Sequence, residues 1–162
     1  MKQSILLLLI VFLIVFSCKE TPSGTQSDLL QTGADTLSSM ITHDVVVKNP
    51  DSTDLWMAEC LKDLKREDLI DIIFDGIYGE KISAYDIFED KKISPGKLRK
   101  MEDDGEVVRD QIGKFQFVEA WYFDKTNMTM TKRVKEIRLG TETFNSEGFL
   151  VGYEPLFKVE LN

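Results

Sequence analysis

The chain has 162 residues, 43% of them hydrophobic and 30% charged, which is room for one modest domain once any targeting segment is set aside. Its 20 basic and 28 acidic side chains leave a formal net charge of −8. That balance makes nucleic acid and anionic lipid head groups poor partners, because neither would gain counterion release on binding.

The first segment is a targeting signal. Met1 and Lys2 form a short basic start, Ile5 to Phe16 is unbroken apolar sequence, and Ser17 and Cys18 follow. The apolar run is too short for a comfortable membrane span, and the small residue before the cysteine points to a processed secretory signal. A buried N-terminal helix is the less favoured reading, since a run apolar on every side would need complete wrapping. The segment resembles a bacterial lipoprotein signal, with Val15, Phe16 and Ser17 in place of the usual Leu-Ala-Gly. That resemblance implies removal of residues 1–17, a lipid on the thiol and amine of Cys18, and attachment to a lipid bilayer through it. Removal costs one lysine and no acid, leaving 19 basic and 28 acidic side chains and a balance of −9. With Cys18 acylated, Cys60 has no intramolecular partner and is expected to be a packed thiol on a helix face.

Residues 18–50 are rich in Ser, Thr, Gly, Gln and Asp, a composition that buries too little surface to offset chain entropy. They read as a flexible tether spanning on the order of 30 Å, with a short strand at Asp44 to Lys48 as its one ordered piece. Lys19 directly after the anchor resembles the pattern of lipoproteins forwarded to the outer membrane. The periplasmic face is the expected location, with the cell surface as the alternative.

Residues 51–162 read as a single α+β domain. Ser52, Thr53 or Asp54 caps a helix carrying Met57, Cys60, Leu61 and Leu64 at helical spacing. Leu69, Ile70, Ile72, Ile73, Phe74 and Ile77 form a second, more apolar helix ending at Gly79, with Gly76 weakening its last turn. Lys81 to Phe88 alternates Ile82 and Ala84 against Ser83, Tyr85 and Ile87 and reads as a short strand. Ser94 and Pro95 open a short helix to about Asp103, which Asp103, Asp104 and Gly105 stop.

From Phe115 onward, large apolar residues alternate with polar ones. Phe115, Phe117, Trp121 and Phe123 share one parity, as do Phe149, Val151, Tyr153, Phe157, Val159 and Leu161, so each run presents one greasy strand face. Met128, Met130 and Val134 share a parity that Ile137 and Leu139 do not, which predicts a bulge between Val134 and Ile137. Asp124 to Asn127 and Asn145 to Gly148 read as turns, the second with positive φ at Gly148. Pro155 places the last strand at a sheet edge or breaks it. The expected fold is an antiparallel sheet of about four strands, covered on one face by one or two helices.

Catalytic constellations are scarce. The only histidine, His43, falls in the expected tether, out of reach of a nucleophile, and a zinc site of the usual kind lacks ligands. Asp103, Asp104 and Glu106 flank Gly105 without the spacing of a calcium loop. No phosphate-cradling glycine loop is present, and nothing selects a carboxylate pair for glycoside cleavage. The chain is therefore expected to have no catalytic residues, no metal and no cofactor. Trp121, Tyr122, Phe123 and Tyr153 are the candidate interaction residues, with core packing the commoner role for aromatics at strand spacing.

Two blocks carry a resemblance. LIDIIFDGIYGEKISAYD, Leu69 to Asp86, is similar to the apolar helix and Gly-Lys-Ile-x-Ala-Tyr strand of the GldN/PorN family, with Glu80 inserted between Gly79 and Lys81. FVEAWYFDK, Phe117 to Lys125, is similar to that family's Ile-Lys-Glu-x-Trp-x-Phe-Asp-Lys strand. GYEPLFKVEL, Gly152 to Leu161, is similar to its Tyr-x-Pro-Leu-Phe-Trp-Val ending, with Lys158 where an aromatic is usual. The blocks occur in family order and cover Leu69 to Leu161. The family comprises periplasmic components of the type IX secretion and gliding machinery of Bacteroidetes. The resemblance implies a GldN-like, non-enzymatic assembly lipoprotein whose partners are protein components of that machinery. The alternative is a lipoprotein holding a small ligand or peptide between helix and sheet.

Overall fold

Alternating sequence in the last third of the chain produces three long strands, and the rest of the fold is built on them. The computed structural model describes residues 34–161; the signal segment, Cys18 and the first part of the tether lie outside them. In chain order the elements are β1 (Asp35–Val46), α1 (Leu55–Leu61), α2 (Arg66–Tyr78), β2 (Ser83–Tyr85), β3 (Lys92–Ile93), α3 (Pro95–Asp103), a 3₁₀ turn (Arg109–Gln111), β4 (Ile112–Asp124), β5 (Thr129–Phe144) and β6 (Leu150–Glu160). The strands form one antiparallel sheet in the order β1-β4-β5-β6-β2-β3. The α+β class is as expected, but the sheet has six strands instead of about four.

The largest departure is at the start. Asp35–Val46, expected to be tether apart from its end, is a 12-residue edge strand paired along β4. An edge strand needs little apolar content of its own. Its main-chain groups are satisfied on one side by β4, and Val45 and Val47 supply the side chains that reach the core.

The helices form where their local signals are. Asp54 Oδ1 accepts from Met57 N at 2.9 Å to cap α1, and Ser94 Oγ accepts from Lys97 N at 3.2 Å to cap α3, with Pro95 in its first turn. Glu67 and Asp68 sit in the first turn of α2, where they complement its dipole, and Gly79 ends it. Ile70, Ile73, Phe74 and Ile77 make the buried face of α2 and meet Phe115, Leu139, Phe157 and Val159 from the sheet. The Phe74 and Phe157 rings meet edge-on, 5.6 Å apart. Leu98 of α3, fully buried, extends the same layer. By contrast α1 buries none of its residues. Cys60, expected to be a packed thiol, is exposed.

Register explains which parity predictions hold. Val118 pairs with Glu136 and Glu119 with Val134, so Lys135 is an extra residue in β5, and the bulge lies between Val134 and Ile137 as the sequence predicts. In β6, Leu139 pairs with Phe157 while Gly140 pairs with Pro155, and Thr143 pairs with Gly152 while Phe144 pairs with Leu150. Leu156 and Val151 are therefore extra residues, and each inverts the facing of what precedes it. Phe157 and Val159 reach the core, whereas Phe149 and Val151 are exposed. Pro155 sits where β6 has lost its outer neighbour, because β2 pairs with it only at Lys158 to Glu160. Both turns form as expected: Asp124 Oδ1 accepts from Thr126 N and Asn127 N, Asn145 Oδ1 accepts from Glu147 N and Phe149 N, and Gly148 has φ of 84°.

Candidate functional site

On each strand, the residues between the core positions point to the face away from the helices. There Asp44, Gln116, Arg138, Lys158 and Tyr85 stand side by side on β1, β4, β5, β6 and β2, each in register with the next. Gln116 Nε2 donates to Asp44 Oδ1 at 2.7 Å, and Arg138 Nη1 donates to Gln116 Oε1 at 3.1 Å. Arg138 Nε also donates to Glu136. Lys158 Nζ lies 3.5 Å from Glu136 and 2.7 Å from Asp90, and 5.8 Å from the centre of the Tyr85 ring. The result is a polar ladder across the sheet. The Gln116 and Lys114 hydrogen bonds hold the Asp44 carboxyl below its usual range, and the Asp90 bond raises the Lys158 ammonium.

Beside this ladder is a cleft of about 210 Å³, walled by Ile87, Lys114, Gln116, Arg138, Tyr153 and Pro155 over a floor at Leu139 and Gly140. Gly140 keeps the floor low, since a Cβ there would stand 3.5 Å from Tyr153 Cβ and 3.6 Å from Lys114 Cε. Lys114 Nζ reaches Asp44 Oδ2 at 3.0 Å and sits 5.4 Å from the centre of the Tyr153 ring. Burial, and then the charge of Glu142, raise the Tyr153 phenol above its ordinary value, so it stays a hydrogen-bond donor at neutral pH.

Tyr153 is seated by a second polar group. Glu142, its cross-strand partner, has a side chain only 2% exposed. Its Oε2 pairs with Lys48 Nζ at 2.9 Å, and its Oε1 is buried with no hydrogen-bond partner among the described residues. Room for both side chains comes from Gly113, where a Cβ would stand 2.6 Å from Glu142 Cγ and 2.9 Å from Tyr153 Cε1. Lys48 continues to Asp110, whose carboxylate also receives Arg66 Nη2 at 2.9 Å. Those bonds, Lys48 first, lower Asp110.

The four aromatic candidates do not converge. Tyr153 walls the cleft. Trp121, Tyr122 and Phe123 are half-buried at the far end of β4, and none of the four belongs to the buried cluster. Trp121 Nε1 donates to Glu119 Oε2 at 2.9 Å, and Lys132 Nζ lies 4.4 Å from the centre of one Trp121 ring. His43, placed in a tether by the sequence, is held in β1 with Nδ1 3.9 Å from Glu119 Oε2 and its ring 5.7 Å from that of Phe117. Sequence reading singled out none of Lys114, Gln116 and Arg138. Their signal is a polar residue at every second position within a strand whose other parity is apolar, which also describes any solvated strand face.

The space between α2 and the sheet is filled: Phe74, Ile77, Phe115, Leu139 and Phe157 are each no more than 1% exposed. A cavity of about 390 Å³ remains at the edge of that layer, between Ile77 of α2 and Ser83, Ala84 and Ile93 of β2 and β3, while the polar cleft lies on the opposite face of the sheet. Among the described residues no group of three or more His, Cys, Asp or Glu side chains is placed to hold a metal ion. Compared with known families and with curated proteins, the chain matches no family model and no curated protein.

Proposed function

We propose that this chain is a non-enzymatic assembly lipoprotein of the type IX secretion or gliding motility machinery, held at the outer membrane by a lipid on Cys18 and acting by protein–protein contact. The family resemblance supports this reading, and its span, Leu69 to Leu161, runs unbroken from within α2 through β6. The observation that carries the contact role is the surface. Phe144, Phe149 and Val151 crowd the β5–β6 turn with exposures of 46%, 65% and 62%, and exposed apolar clusters of this kind mark interaction sites. At one edge of the sheet, β1 has no strand beside its outer side among the described residues, which leaves main-chain donors and acceptors open to a partner strand.

In cells, a Cys18→Ala chain is expected to leave the membrane fraction, and crosslinking of the native chain to recover secretion or gliding proteins. Recovery of none of them from cells with intact machinery would refute the assembly role. Protease shaving of whole cells separates a periplasmic from a surface location.

A further inference from the structure

We propose that the cleft between Tyr153 and Arg138 receives the carboxylate of an aspartate or glutamate side chain presented by the partner protein. This rests on the assembly reading above and specifies its contact. In a chain of net charge −8, the cleft is lined by two cations, an amide and a phenol, and by no acid. Both cations are tied down, Lys114 by Asp44 and Arg138 by Glu136 from outside the cleft, and Arg138 also by Gln116 of its wall. Pinned cations lose less side-chain freedom on binding, so their remaining donors are pre-organised.

Those donors are available. Arg138 uses Nε and Nη1 within the ladder, and its Nη2 has no partner among the described residues. Lys114 spends one of its three protons on Asp44. Tyr153 remains protonated, and its hydroxyl makes no hydrogen bond among the described residues. The Arg138, Lys114 and Tyr153 donors, lining one cleft with the apolar Ile87 and Pro155, match a carboxylate on a short aliphatic stem. Size separates the sources of such a group. A cleft of about 210 Å³ is smaller than the roughly 300–1,000 Å³ of free-ligand pockets, but it accommodates one side chain whose backbone contacts the surrounding surface.

Glutarate is the probe for the cleft, titrated into the unlipidated chain of residues 18–162 carrying Cys18→Ala, at constant ionic strength and followed by NMR. Saturable shifts of the Arg138 Nε–H and Tyr153 ring signals are expected in the millimolar range. Arg138→Gln should weaken binding by ~10-fold or more. Tyr153→Phe, which leaves the ladder untouched, should weaken it severalfold. Absence of saturable shifts, or wild-type affinity in both variants with unchanged melting temperature, overturns the proposal. In cells, Arg138→Gln should lower the crosslinked yield of partner. An undiminished yield alongside glutarate binding would reject the partner side chain as the occupant and leave a free small acid. Failure to crosslink any partner in the wild type would reject the assembly reading, and with it the partner as source, while the titration still decides whether the cleft takes a carboxylate.

Discussion

Lys48 and Glu142 show how a single pair sets local stability. Glu142 is buried with one oxygen on Lys48 and the other on nothing among the described residues, so the lysine is the carboxylate's main compensation. Lys48→Met is expected to destabilise the fold by about 3–5 kcal/mol, because it leaves a buried charge unpaired. Lys48→Met combined with Glu142→Met should cost less than Lys48→Met alone. Urea unfolding of Lys48→Met, Glu142→Met and the double variant checks this, and an additive double mutant would contradict it. At the same scale, Asp44 and Asp110 are lowered by their hydrogen bonds to Gln116 and Lys48 respectively. A carboxyl lowered by folding takes up its proton first in the unfolded chain, so its stabilisation is complete above the ordinary carboxylate value of about 4. It is lost as pH falls from there toward the folded values. The melting temperature should therefore drop below about pH 4, and less steeply in Asp44→Asn. Equal slopes in the two proteins would mean that Asp44 contributes nothing.

Among the elements, α2 was the easiest to read and is the one on which the core depends. Its apolar residues recur at helical spacing, and its buried set, Ile70, Ile73, Phe74 and Ile77, is the one that periodicity selects. Phe74→Ala removes a ring that meets Phe157 edge-on at 5.6 Å and has the Arg109 guanidinium 4.2 Å from its centre. The expected cost is about 3–5 kcal/mol, measured as a shift in the denaturation midpoint with an unchanged m-value. The long strands were only partly legible. Their existence and turns follow from alternation and from Asp124, Asn145 and Gly148, and the parity change after Val134 announces the bulge at Lys135. The bulges at Leu156 and Val151 left no such mark, since an extra residue in a strand shows only against its partner's register. This is why Tyr153 and Val151, read as core-facing, are outside the core, whereas Phe149 precedes β6 and stands in solvent at the turn.

For the whole molecule, the decisive correction is where the domain begins. Sequence composition put the boundary at residue 51, whereas the sheet begins at Asp35. A chain truncated to start at Asp51 loses β1 and uncovers the edge of β4 from Lys114 to Phe123. It should be less soluble and melt lower than a chain that starts at Ala34, as sedimentation and thermal unfolding would show. Equal solubility and melting temperature would return β1 to the tether.

By itself, the sequence determined the helices, with the caps of α1 and α3, the turns, and the alternating strands of the last third. Each of these depends on residues a few positions apart, whose propensities and periodicity act locally. The tertiary structure decided the rest. β1 is a strand because β4 offers it hydrogen bonds. Tyr153 joins Lys114 and Arg138 while Trp121 does not, because cross-strand register and Gly113 set which side chains meet. The six-stranded order brings together, on the face away from the helices, polar residues from Asp44 to Lys158. Contacts between residues so far apart are set by pairing across strands, and no local pattern encodes them.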